Sequence, residues 1–107
     1  MQMKLTTFYN SYNLFEYEIL SIKGKSNKLE MLIDMDSHLD LIGNGIRPSL
    51  DVSYHHLFKF EYEGPNINIS KNIKVDRYEF KCGKIELVVN GIVLLLTSDV
   101  EVIRNYE

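Results

Sequence analysis

The sequence predicts a mainly β protein, a single-domain antiparallel sandwich or strongly curved sheet of eight or nine short strands. Apolar and polar residues alternate with a period of two over most of the chain, as in strands with one buried face. Turn signals rich in Gly, Asn and Ser separate the alternating segments. No window of eleven or more residues has the helical period. The alternative is an α+β fold with one short helix in residues 5–14 or 36–42.

The N-terminal third contains three predicted strands. Residues 2–8 alternate and form the first, followed by a connection or one turn of helix at residues 9–13. Residues 14–23 alternate again, the polar stretch at 24–27 predicts a hairpin turn, and residues 29–35 form the next strand. These segments therefore predict an antiparallel hairpin early in the chain.

The middle and C-terminal parts contain the clearest strand and a second hairpin. Residues 52–62 alternate without interruption, and Gly64-Pro65 ends this strand. A short strand at 67–69 and another at 74–82 follow. Asn90-Gly91 is a type I′ turn signal, because both central residues of that turn need positive φ.

The last two predicted strands differ in their patterns. Ile92–Leu96 is apolar on both faces, which predicts a strand covered on both sides by a second sheet, a helix or another subunit. Thr97-Ser98-Asp99 predicts a bend, and Val100 and Val102 mark the final strand. A homodimer or larger homo-oligomer joined through Ile92–Leu96 is therefore one alternative.

The tetrapeptide Phe-Glu-Tyr-Glu occurs twice, at residues 15–18 and 60–63. The residues around the two copies agree no better than by chance, so they do not indicate a duplicated unit. Both copies are interpreted as strands whose aromatic side chains point inward and whose carboxylates point outward.

Composition narrows the class of protein. The chain has 107 residues, which suits one domain over residues 1–107 with its own core. A net charge of −3 without a basic segment argues against a nucleic-acid partner. The single cysteine fits a reducing compartment and excludes a multi-cysteine zinc site. No apolar stretch suits a signal peptide or a membrane helix, so we expect a cytoplasmic protein with no membrane partner.

Residues 34–40, Asp-Met-Asp-Ser-His-Leu-Asp, form the most suggestive cluster of ligand-type side chains. In an extended conformation they place three carboxylates and an imidazole on one face, which suits a divalent ion. An EF-hand loop is excluded, because Leu39 stands where Gly is needed and Gly45 where a bidentate Glu is needed. We favour an acidic, solvated loop and predict no metal and no cofactor. A metal- or ligand-binding protein that uses this cluster stays an alternative.

Other chemically active side chains have simpler interpretations. His55 and His56 are adjacent in a predicted strand, so they point to opposite faces and do not share one ion. Cys82 falls on the same face as Tyr78 and Phe80, which predicts a buried structural thiol. No phosphate-binding loop and no nucleophile motif is present. No catalytic residue is predicted, and we expect a protein that is not an enzyme.

Residues 14–36 combine an apolar start, a strand, a polar turn and a second strand with an acidic end, and residues 55–64 and 91–103 supply a middle and a terminal strand segment. In these three segments the chain resembles small β-rich bacterial families that are immunity-protein-like or uncharacterised. The usual His-Asp pair of that start is replaced by Glu16-Tyr17. The resemblance implies a small β-rich protein that acts by binding another protein.

The functional hypothesis is a non-enzymatic, protein-binding inhibitor, an immunity protein that neutralises a bacterial toxin by occluding its active site. An acidic surface complements the basic groove of a nuclease toxin, so outward carboxylates are the candidate contacts. An inhibitor of a host defence system, encoded by a phage or mobile element, is an alternative with the same kind of surface. The candidate contacts are Glu16, Glu18, Asp34, Asp36, Asp40, Glu61 and Glu63.

Overall fold

The computed structural model describes residues 1–35, 55–104 and 106. Within these residues one helix and nine strands follow in the order β1 (Gln2–Met3), α1 (Leu5–Ser11), β2 (Glu18–Lys25), β3 (Lys28–Asp34), β4 (His55–Glu63), β5 (Ile67–Ile69), β6 (Val75–Lys81), β7 (Lys84–Val89), β8 (Ile92–Leu96) and β9 (Val100–Ile103). Every described strand pair is antiparallel. The predicted mainly β fold with many short strands is confirmed, together with a short helix inside residues 5–14.

Strand β4 joins the two halves of the sheet. On one edge it pairs with β3; on the other it pairs with β9 along its first half and with β8 at its end. One half therefore runs β5-β2-β3-β4-β9-β1, and the other runs β4-β8-β7-β6. Buried residues from both halves belong to one hydrophobic cluster, so the strongly curved sheet encloses a common core.

The change of partner along β4 occurs at Glu61. The Glu61 carbonyl accepts a hydrogen bond from the Thr97 N–H at 3.0 Å, and the Glu61 N–H donates to the Ser98 hydroxyl oxygen at 2.8 Å. The predicted bend at residues 97–99 is thus the link between β8 and β9. This link supplies hydrogen-bond partners for the main chain of Glu61, which pairs with neither β8 nor β9.

The core is filled by the inward side chains of the alternating strands. Each fully buried aliphatic or aromatic side chain contributes about 1.5–3 kcal/mol through the apolar surface that it removes from water. No charged side chain is buried in the part of the chain that the structure describes. The inward residues of the two central strands are Leu29, Met31, Ile33, Phe58, Phe60 and Tyr62.

Helix α1 replaces most of the strand predicted for residues 2–8, and that prediction is wrong beyond Met3. Leu5 and Phe8 are both buried and lie three residues apart, the spacing of one helical face. The Phe8 ring packs edge-on against Phe58 and Phe60, with centroids 5.0 and 5.1 Å away. Each such aromatic pair adds about 0.5–1.5 kcal/mol beyond its area. Burial of Phe8 therefore favours the helix over continued alternation.

Three tight turns close hairpins, at Ser26-Asn27, Cys82-Gly83 and Asn90-Gly91. Both residues of each turn have positive φ, as type I′ turns require. The predicted turns in residues 24–27 and at Asn90-Gly91 are confirmed. The buried position predicted for Cys82 is wrong: its thiol is exposed, because β6 ends at Lys81 and the next residue enters the turn.

Strand β8 was predicted to be covered on both faces by a second sheet, a helix or another subunit. The described residues of this chain do not cover both faces. Leu94 and Leu96 point into the core, whereas Val93 is 53% exposed on the opposite face. Within the described residues, the apolar run therefore has one buried face and an opposite face on which Val93 is exposed. Its use in a homodimer stays a hypothesis.

Candidate functional site

The first Phe-Glu-Tyr-Glu copy begins in a single 3₁₀ turn, Leu14–Glu16, and β2 starts only at Glu18. The Asn13 side-chain oxygen accepts a hydrogen bond from the Phe15 N–H at 3.1 Å, and the Glu16 N–H donates to the Asn13 carbonyl at 2.9 Å. Asn favours such local bonds to the main chain two residues on. The prediction of a strand from residue 14 is therefore wrong.

The turn points Phe15 outward, so the predicted inward orientation of this ring is also wrong. Its side chain is 57% exposed, while the preceding Leu14 is fully buried. The Phe15 ring still contacts the protein edge-on at Tyr78, with centroids 6.4 Å apart. The second copy, at residues 60–63 in β4, does have its aromatic residues buried and its carboxylates exposed, as predicted.

Tyr78 provides a fixed support for this exposed ring. Its hydroxyl donates to the Tyr12 carbonyl at 2.7 Å in a buried hydrogen bond. The Tyr9 hydroxyl donates at 3.3 Å to the Tyr78 carbonyl, on the outermost strand of this half of the sheet. Burial, followed by the nearby Tyr9, raises the pKa of the Tyr78 phenol well above its ordinary value, so it remains a neutral donor. We call Tyr9, Phe15, Tyr17 and Tyr78 the aromatic edge.

Two clefts flank Phe15, one on each side. The first, of about 370 Å³, has a largely polar and aromatic lining: Tyr9, Asn10, Asn13, Phe15 and Tyr78. The second, of about 250 Å³, is lined by Leu14, Phe15, Tyr17, Ile19, Ile73, Lys74 and Val75. Phe15 is thus a ridge between two recesses, a shape that side chains of a partner can fill.

Three of the predicted contact carboxylates lie near the aromatic edge. Glu16 ends the 3₁₀ turn and is exposed, and Glu18 begins β2. Glu18 lies directly opposite Asp34 in the β2–β3 register, and Asp34 lies opposite His55 in β4. These side chains share one face of the sheet, so the structure places two acidic residues of different strands beside each other.

The remaining predicted contacts do not join this group. Glu61 lies opposite Lys28, six residues along β3 from Asp34, a separation of about 20 Å. Its carboxylate is 3.1 Å from the Lys28 ammonium, and that of Glu63 is 3.9 Å from Lys84. Two others, Asp36 and Asp40, lie outside the described residues, as does His38 of the 34–40 cluster. The structure therefore divides the predicted surface into separate regions.

The two adjacent histidines occupy opposite faces of β4, as predicted. His55 pairs with Asp34 on the outer face, whereas His56 pairs with Ile33, and its ring lies 6.1 Å from that of Phe58. Partial burial is the main cause that lowers the pKa of His56. In residues 1–35 and 55–104, no three side chains of the His, Cys, Asp and Glu types come together as a metal site would need.

No match was found when the chain was compared with models of protein families, with curated proteins and with solved structures. The resemblance to immunity-protein-like families therefore stays a prediction. In the part of the chain that the structure describes, no helix has the length and apolar character needed to span a bilayer.

The aromatic edge is the feature that the sequence pattern did not predict. The alternation of residues 14–18 hides it, because a strand would bury Phe15 and Tyr17 on one face. The usable signal was Asn13, two residues before the exposed ring, because its side chain can cap a turn and so interrupt the alternation.

Proposed function

We propose that this protein is a non-enzymatic binding protein that recognises another protein through its aromatic edge. The observation that carries the proposal is Phe15, an exposed ring supported by Tyr78 and flanked by two clefts. Aromatic side chains give much of the binding energy at protein interfaces. A ring that is already held in place loses little conformational entropy when a partner covers it.

The charges near the edge favour a basic partner. Glu16, Glu18 and Asp34 form an acidic border on one side of Phe15. Complementary charge accelerates association and fixes the orientation of the two proteins. The partner class that we propose is a bacterial toxin with a basic substrate groove, inhibited by occlusion of its active site. The resemblance to immunity-protein-like families supports this form of the function, and the single cysteine supports action in the cytoplasm.

The test begins with co-purification of the tagged protein from its native host. The affinity of the captured partner is then measured for the wild type, Phe15→Ala and Val93→Ala. Val93 is the matched control, because it is a similarly exposed apolar side chain in a different part of the sheet. Loss of a hot-spot aromatic residue weakens binding about 30-fold.

The proposal requires that Phe15→Ala weakens binding and that Val93→Ala does not. Equal affinity of the Phe15→Ala variant and the wild type would overturn the assignment of the aromatic edge. If only Val93→Ala weakened binding, the interface would lie on the open face of β8 instead.

A further inference from the structure

A third cleft lies at the opposite end of β2 from the aromatic edge. Its volume is about 570 Å³, larger than either cleft beside Phe15. The β2–β3 hairpin forms one wall, and the start of β5 forms the other. We call it the lysine cleft; its lining is Lys23, Gly24, Lys25, Lys28, Glu30, Asn66, Ile67 and Asn68.

The hairpin register brings the three lysines to one face. Lys25 lies directly opposite Lys28, in the last pair before the Ser26-Asn27 turn, and Lys23 precedes Lys25 by two residues. Like charges directly opposite each other destabilise a strand pair. The type I′ turn fixes this register, so the two ammonium groups cannot separate by slipping along the strands.

Two of these cations remain available to a ligand. The Lys28 ammonium is 3.1 Å from the Glu61 carboxylate. In the described part of the chain, neither Lys23 nor Lys25 forms an ion pair or a side-chain hydrogen bond. Glu30 is the carboxylate of the lining and lies opposite Lys23, so the lining keeps an excess of positive charge in a chain whose net charge is −3.

The opposite wall is held in place by main-chain pairing. Asn68 pairs with Lys23, and Ile67 pairs with Gly24. The Tyr62 hydroxyl donates to the Pro65 carbonyl at 2.9 Å, which fixes the segment that leads to Asn66. The side-chain amides in the lining therefore come from a wall whose position does not depend on a ligand.

We infer that the lysine cleft binds a small anion that carries phosphate groups. A phosphate offers several strong acceptor oxygens, which match separate ammonium groups and the amide donors of Asn66 and Asn68. All three cations are lysines, which bind phosphate as compact point charges with three donors each. The aliphatic parts of the lysine side chains give the cleft an apolar floor for the body of such a ligand.

This site is independent of the proposed protein-binding edge. Lys25 is seven residues along β2 from Glu18, a separation of about 20 Å. The two functions can therefore fail separately. A Phe15→Ala variant is expected to bind phosphate ligands as the wild type does.

The test is calorimetric titration of the full chain with inorganic pyrophosphate at low ionic strength. Lys25→Gln is compared with Lys71→Gln, an exposed lysine outside the lining, so both variants lose the same charge. Lys25→Gln removes a like-charge pair and is expected to fold. We expect about tenfold weaker binding for Lys25→Gln and unchanged binding for Lys71→Gln.

Three outcomes would overturn the inference. Absence of binding heat with millimolar pyrophosphate would show that the cleft is not a phosphate site. Equally weakened binding in both variants would show attraction by overall charge alone. Binding of a glutamate peptide without binding of pyrophosphate would show a carboxylate site instead. A parallel titration with adenosine triphosphate tests the role of the apolar floor. Tighter binding of adenosine triphosphate than of pyrophosphate supports a ligand that has an apolar body as well as phosphate.

Discussion

The Ser98 hydroxyl takes the place of a strand partner for Glu61. It accepts the Glu61 N–H at 2.8 Å and donates to the Asp99 carbonyl at 2.9 Å, at the point where β4 leaves β9 and joins β8. The Ser98 side chain thus forms hydrogen bonds both with the main chain of the bend and with the main chain of β4. The two halves of the sheet meet at this hydrogen bond.

Replacement of Ser98 by Ala should therefore lower the free energy of unfolding by about 0.5–1.5 kcal/mol, because the Glu61 N–H loses its acceptor. Urea denaturation monitored by circular dichroism measures the change. Ser70→Ala, at an exposed position after β5, is the control and should stay within about 0.5 kcal/mol of the wild type. Equal stability of both variants would show that water replaces the Ser98 hydroxyl without cost.

Replacement of Asn13 by Ala should loosen the 3₁₀ turn that presents Phe15. The variant loses the acceptor for the Phe15 N–H, so we expect a stability loss of about 1 kcal/mol. Amide hydrogen exchange of Phe15 should become faster. Asn13→Asp keeps a side-chain acceptor and should restore slow exchange. Unchanged exchange in Asn13→Ala would mean that packing against Tyr78 alone holds the turn.

Tyr78 should make the stability of the fold depend on alkaline pH. Its pKa is raised in the folded state by burial, so the folded protein resists loss of the phenol proton. The stabilisation that comes from this raised pKa is fully present below the pKa of the unfolded state, about 10, and is lost as the pH rises above it. Tyr17, whose pKa is raised in the same direction, contributes in the same sense.

Denaturation of the Tyr78→Phe variant at increasing pH tests this assignment. At neutral pH the free energy of unfolding of the variant should be lower by about 1–3 kcal/mol, because the buried Tyr12 carbonyl loses the hydrogen bond from the Tyr78 hydroxyl. Above pH about 10 the difference from the wild type should shrink. A difference that stays constant with pH would contradict a role for the Tyr78 proton.

Charge reversal should separate the two groups of predicted contact carboxylates. Glu18→Lys changes the acidic border of the aromatic edge and should slow association with a basic partner about tenfold at low salt. Glu63→Lys, placed at the far end of β4 beside Lys84, should leave the rate unchanged. Surface plasmon resonance at two salt concentrations measures both rates. A larger effect of Glu63→Lys would move the interface away from Phe15.

Local rules in the sequence predicted much of the fold. The alternation of β3, β4 and β7 and the Asn90-Gly91 turn depend on nearest neighbours along the chain, and the structure has them. Helix α1 was predicted only as an alternative, because its stability depends on Phe8 packing against β4, which is distant in sequence. The double pairing of β4 is also a long-range property that no local pattern indicates.

The candidate site also combines features that local sequence rules predict with features that depend on long-range strand pairing. Outward positions for Glu18 and Glu61 follow from strand parity, but their separation depends on how β2, β3 and β4 align. The exposure of Phe15 results from competition between the strand pattern and the Asn13 cap, and the cap prevails. The lysine cleft requires β5 to pair with β2 across more than forty intervening residues.

Because β4 belongs to both halves of the sheet, neither half can open while the other stays intact. Partial opening at β9 or β8 would expose the same β4 main chain and the same core side chains. We therefore expect one cooperative unfolding transition, with the β4 amides exchanging only when the whole molecule unfolds. The aromatic edge and the lysine cleft, although about 20 Å apart along β2, would then be gained and lost together.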